Sequence, residues 1–160
     1  MTKTDIHQRF IARLTTELES ITAVARKTFA TATSDEHRAE HKYDTFKLES
    51  SFLARGQAKR VEELADALES LQLLPMKEMD HTTPIQLSAL VRLKASDGGS
   101  RVLFVCAAAG GETIVADGEE ITIVTSRSPL GQAVLGKKTG DTFVMKIGST
   151  KHTYKVVSVE

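Results

Sequence analysis

Two apolar seams of helical period flank a polar stretch in the first half of this chain. Phe10, Leu14, Leu18, Ile21 and Val24 recur at steps of four, four, three and three, and Val61, Leu64, Leu68 and Leu71 at steps of three, four and three. That spacing is the seam of packed helices. Residues 1–55 contain neither Pro nor Gly. Gly56 then interrupts the second pattern, at a cost of about 1 kcal/mol relative to Ala, and Pro75 is a stop signal. Residues 31–45, between the seams, are polar and carry no apolar stripe. The simplest arrangement is an antiparallel hairpin that turns within them. An arm of about 30 residues is about 45 Å long. Two such arms cannot bury their seams inside so small a globule, so the hairpin is expected to protrude as a rod.

The pattern changes after Pro84. Residues 85–93 alternate in the period-2 manner of a strand (Ile85, Leu87, Ala89, Val91, Leu93). Asp97-Gly98-Gly99 is a turn signal, and residues 101–107 are apolar enough for a central strand. Residues 121–124 read as a third strand. Ser128-Pro129 reads as an N-cap and first-turn proline of a short helix that Gly136 ends. Residues 142–147 and 153–159 form a hairpin about Gly148-Ser149-Thr150. The expected product is α+β: a helical hairpin over residues 1–74, with its tip at about 34–45, a linker over 75–84, and a mainly antiparallel sheet domain with one short helix over 85–160.

Composition narrows the function. Lysines and arginines number 21 and so do aspartates and glutamates, a formal net charge of zero. A protein that held nucleic acid chiefly through phosphates would need a basic excess, so a protein partner or a local charged feature is the better expectation. No apolar run reaches membrane-spanning length, and the first residues lack the apolar stretch of a secretory signal. Cys106 is the one cysteine; inside an apolar run it reads as a small core residue. These points favour the cytoplasm.

The segment Ser128-Pro129-Leu130-Gly131-Gln132-Ala133-Val134-Leu135-Gly136-Lys137-Lys138-Thr139-Gly140-Asp141, with the closing Tyr154-Lys155-Val156-Val157-Ser158-Val159, resembles the C-terminal part of the Gre transcript-cleavage factors. The order of a hairpin and then an FKBP-like domain resembles that family too. The resemblance implies a partner, RNA polymerase, reached by docking the C-terminal domain at the rim of the secondary channel through Arg127, Ser128, Pro129 and Leu130. It implies that the hairpin enters the channel, where tip acids help hold a Mg2+ ion of the polymerase's own active site while backtracked RNA is cut. The free protein would hold no metal or tight cofactor, would meet RNA only through the polymerase, and would be no enzyme alone. A monomer is expected, because both seams lie on one chain.

The tip departs from the family. Where cleavage factors carry Asp, two residues and then Glu, this chain has Asp44-Thr45-Phe46-Lys47. Glu40 and Asp44 lie near the midpoint of the arms and four residues apart, so they would share a helical face; they are the first candidates for the cleavage acids, with Asp35 and Glu36 the alternates. Arg127 stands where the family carries Asp or Asn. The bland reading of the tip is a solvated segment of mixed charge, with Arg38, Lys42 and Lys47 among the acids. His37 and His41 have zinc-helix spacing but no third ligand. Tyr43 and Phe46, at the end of a rod with little core to join, are candidates for partner contact. Alternatives to cleavage are a secondary-channel regulator or inhibitor without cleavage activity, and a coiled-coil module unrelated to polymerase. Prolyl isomerase activity is not expected, since the C-terminal half offers only Phe104, Phe143 and Tyr154 as rings.

Overall fold

A computed structural model describes the backbone of residues 1–33 and 42–160, and the side chains among them except those of 28, 29, 31–33, 42–54 and 147. Two long helices come first, α1 (Lys3–Thr33) and α2 (Lys42–Gln72). His7 lies opposite Leu71, and Glu17 opposite Arg60, so the helices run antiparallel. Burial fades along the seam of α1: Phe10 and Leu14 are fully buried, Leu18 and Ile21 half-buried, and Val24 is 49% exposed. Two paired helices shield only one stripe of each other. The helix α2 runs through Gly56 without a break. By compactness the chain divides into Met1–Ile11 with Glu69–Glu160, and Ala12–Leu68.

Six strands among the described residues form one sheet: β1 (Leu90–Ala95), β2 (Ser100–Cys106), β3 (Thr113–Ala116), β4 (Glu119–Thr125), β5 (Thr142–Ile147) and β6 (Thr150–Val159), with α3 (Pro129–Val134) between β4 and β5. The order across the sheet is β3-β4-β2-β1-β6-β5. Every pairing is antiparallel except β2 with β4, which is parallel. The fold is thus the expected helical hairpin and FKBP-like sheet with one short helix.

Residues 102–106 of β2 are all buried, because both faces of the sheet are covered there. On one face Leu103 and Val105 join Val91, Leu93, Val124, Val134, Tyr154 and Val156 in a core beneath α3. On the other, Phe104 meets the base of the helices: Phe10 stacks on it at 6.0 Å between centroids and an angle of 7°, and the His7 ring lies 6.1 Å away. His7 is itself buried and donates from Nε2 to the Leu71 carbonyl at 2.8 Å. A strand covered on both sides must be apolar on both sides, which is why residues 101–107 read as a continuous run. Cys106 lies in this strand, 1% exposed, and burial pushes its thiol pKa up to about 12.

Two strand readings need correction. The alternation over residues 85–93 predicts one strand, but β1 begins only at Leu90. Ser88 has φ +70°, its amide donates to the Val105 carbonyl, and Ala89 turns back on Gln86. Ile85 pairs instead with the turn that follows α3, through Ile85 N to Lys137 O at 2.7 Å and Gly136 N to Ile85 O at 2.9 Å. The other correction is β3, which the sequence reading leaves out. Its four residues sit at a sheet edge with Val115 68% exposed, too short to show a period.

The unbroken α2 gives a stability prediction. Open space surrounds the position where a Cβ would sit on Gly56, so Gly56→Ala is expected to stabilise the protein by about 0.5–1 kcal/mol. The check is the urea midpoint, which should rise with an unchanged slope; a lower midpoint would mean that the helix does not pass through Gly56.

Candidate functional site

The junction of β4 and α3 is built around one carbonyl. Ser128 has the extended backbone of an N-cap, φ −81° and ψ 145°. Its amide and its hydroxyl both donate to the Thr125 carbonyl, at 3.0 and 2.9 Å, while Ser128 Oγ accepts from the Gly131 amide at 3.1 Å. Pro129 takes the first helical turn, where its missing N–H is no loss. Gly131 is buried, and a Cβ there would lie 1.9 Å from the Thr125 carbonyl oxygen. Only glycine lets the helix approach the strand end this closely. The helix closes with Leu135 N bonded to Gly131 O at 3.0 Å, and Gly136 follows at φ +77°, the left-handed conformation that suits glycine.

These bonds decide which side chains of the turn are free. Ser128 is half-buried in its capping role, and Leu130 is half-buried against the core beneath α3. Arg127 and Pro129 are exposed. A cleft of about 410 Å³ opens beside Leu130, lined also by Arg101, Glu120 and Thr122. The turn therefore offers a rigid rim with a cation and a proline ring at its edge and a polar cleft next to it.

Residues 82–160, which contain this turn and its sheet, match the family model described as transcription elongation factor, GreA/GreB, C-term. This domain belongs to the Gre family. No match is found among curated proteins. Similar solved structures include Gfh1 of Thermus aquaticus, at 18% identity over 92% of each chain with a TM-score of 0.40. GreA factor homolog 1 (Gfh1) of Thermus thermophilus is similar at 20% identity, over 98% of this chain and 93% of that chain, with a TM-score of 0.40. The prokaryotic transcription elongation factor GreA/GreB from Nitrosomonas europaea is similar at 20% identity, over 60% of this chain and 78% of that chain, with a TM-score of 0.38.

Of the residues singled out in sequence, the Gre domain brings Arg127, Ser128, Pro129 and Leu130 together at one turn, two facing outward and two holding the turn in place. Asp35, Glu36, His37, Glu40 and His41 lie outside the described residues, and Tyr43, Asp44 and Phe46 lie on α2 with side chains outside them. Among the described residues no group of three or more His, Cys, Asp or Glu could hold a metal ion, and no helix is long and apolar enough to cross a membrane. The three rings of the C-terminal half do not line one pocket: Phe104 faces the helix base, while Phe143 and Tyr154 stack on each other, 5.6 Å apart, on the α3 side. Sequence reasoning missed the part played by Gly131, which spacing alone does not reveal. It also missed the cleft, whose one sequence signal is a charge, Arg101, at the start of an apolar strand.

The turn can be tested by stability. Ser128→Ala removes the cap and is expected to cost about 1 kcal/mol. Gly131→Ala forces a methyl group into a carbonyl and should cost about 3 kcal/mol or more, by analogy with overpacked cores. Chemical denaturation of both variants checks the order; equal stability of Gly131→Ala and wild type would contradict the close approach.

Proposed function

We propose that this protein is an RNA polymerase-binding elongation factor that acts in the cytoplasm and stimulates cleavage of backtracked RNA by the polymerase. The observation that carries this reading is the match of residues 82–160 to a family of transcription elongation factors, with Arg127 and Pro129 presented on a rigid turn. In this reading the C-terminal domain docks on the polymerase and the helical hairpin reaches its secondary channel. The cleavage acids are Glu40 and Asp44, with Asp35 and Glu36 the alternates, and Tyr43 and Phe46 contact the channel. Magnesium in the polymerase's own centre stabilises the attacking and leaving oxygens of phosphodiester hydrolysis. Carboxylates are ligands that magnesium prefers, so the donor chemistry of Glu40 and Asp44 suits that site. The chain supplies a carboxylate and its placement, and the polymerase supplies the rest. The free protein is a monomer, holds no cofactor, and meets RNA only through the polymerase.

One observation favours a second reading. Lys47 stands where cleavage factors carry the second tip acid. A cation there opposes metal binding, and a hairpin so equipped would regulate or block the channel without cleaving.

A cleavage assay on a backtracked complex tests both. Wild type should accelerate cleavage, and Glu40→Ala with Asp44→Ala should lower the rate on the order of 10²-fold. Affinity should change little, since exposed charges contribute about 0–1 kcal/mol. Pro129→Glu should weaken polymerase binding in a fold that stays intact. Binding of wild type without cleavage at any magnesium concentration would favour the regulator, and failure to bind purified polymerase would refute both.

A further inference from the structure

The uncovered face of the sheet at β1, β6 and β5 places lysines where sheet stability argues against them. Lys94 of β1 lies directly opposite Lys155 of β6, and Lys146 of β5 directly opposite Lys151 of β6. Side chains so opposed are about 4.5–5.5 Å apart at Cβ, and like charges there repel. All four lysines are exposed, and none forms an ion pair with a described residue. The contrast with Arg92 is plain: two residues before Lys94 on the same strand, it is matched by Glu119. Lysine on an edge strand deters unwanted strand pairing, and β5 is an edge. But β1 and β6 are interior strands, where that purpose does not arise for Lys94, Lys151 and Lys155.

The rest of this face is equally specific. Thr142 lies opposite Lys155, and Thr153 alternates with Lys151 and Lys155 along β6. A hollow of about 550 Å³ beside Lys94 and Lys155 is lined also by Thr139, Thr153 and Val157. The Oγ1 of Thr139, one of these lining residues, is buried without a hydrogen-bond partner. The exposed apolar groups here are Val144 and Val157. The two lysine pairs stand four residues apart along β6, about 13 Å at the usual rise of a strand.

We propose that this face is a binding site for the sugar-phosphate backbone of duplex DNA, recognised without regard to sequence. Phosphate contacts come typically from Lys with Ser and Thr hydroxyls, the side chains present here. A protein partner is the poorer fit, because protein interfaces are depleted in Lys and enriched in aromatic rings, Met and Arg. A single strand fits poorly too, since its bases need aromatic platforms. With a net charge of zero over the whole chain, the four lysines are the local charged feature that neutralises phosphates here. The proposal stands independently of the polymerase reading.

Fluorescence anisotropy of a labelled duplex of about 20 base pairs, titrated with the full chain over about 50–200 mM salt, tests it. Four phosphate contacts give a slope of log affinity against log salt of about −3.6. Dissociation constants on the order of 10⁻⁴–10⁻⁶ M are expected near physiological salt. Lys94→Gln with Lys155→Gln, and separately Lys146→Gln with Lys151→Gln, should each flatten the slope by about two. Removing opposed like charges should leave the melting temperature equal or higher, so loss of binding cannot be ascribed to unfolding. Lys59→Gln, on α2, should change nothing. No anisotropy change for wild type at about 10⁻⁴ M protein in the lowest salt, or a fourfold variant that binds duplex as wild type does, overturns the proposal. A fourfold variant that keeps duplex affinity and loses affinity for purified RNA polymerase also overturns it, and assigns the face to an acidic protein surface.

Discussion

Phe10 on α1 and Phe104 on β2 are both fully buried, and they stack with rings nearly parallel and 6.0 Å apart. Burying such a side chain contributes about 1.5–3 kcal/mol, and an aromatic pair about 0.5–1.5 kcal/mol beyond that. The contact gives β2 its second buried face. With Ile6, Leu71 and Leu74 also buried, the residues at both ends of the two-helix segment belong to the core of the sheet. The His7–Leu71 hydrogen bond ties the start of α1 to the end of α2. That is why Met1–Ile11 groups with Glu69–Glu160 as one compact unit. The hairpin base is therefore structural to the domain that carries the Gre family match.

The opposite face of the same strand leads to the functional turn. Leu103 and Val105 pack under α3, and α3 can lie there only because Gly131 lets it touch the end of β4. The Thr125 carbonyl, taken twice by Ser128, fixes the direction in which the turn leaves the sheet. Arg127 and Pro129 are left outside as a consequence of packing inside. The same layering leaves the β1, β6 and β5 end of the other face exposed, and there the lysines stand. One doubly covered strand thus separates two surfaces of different chemistry.

Much of this was legible in the residues. The helical seams were, because a heptad repeat is a long and redundant signal. The Ser128-Pro129 start of α3 was, because capping and proline chemistry act locally. The beginning of β1 was not. Leu87 and Ala89 continue the alternation, but Ser88 is drawn into a left-handed turn by a bond to Val105, far away in sequence. Two buried faces on β2 made its apolar run clear without telling what lay on either side. Gly131 looked like any glycine near a helix start, since its role depends on a carbonyl six residues back along the chain. The lysine pairs were invisible for the same reason: Lys94 and Lys155 become neighbours only through strand register. Local chemistry could be read directly, and contacts set by register could not.

The helix base completes the sheet core through Phe104, and native-state hydrogen exchange on Phe10→Ala can show whether it does. A Phe→Ala change in a core costs about 3–5 kcal/mol. If the base and the sheet are one core, the amides of Phe104, Val105 and Ile123 should lose protection by that full amount, together with those of α1. Unchanged protection in β2 and β4, with loss confined to α1 and α2, would contradict the account and make the helices an appendage of a self-sufficient sheet.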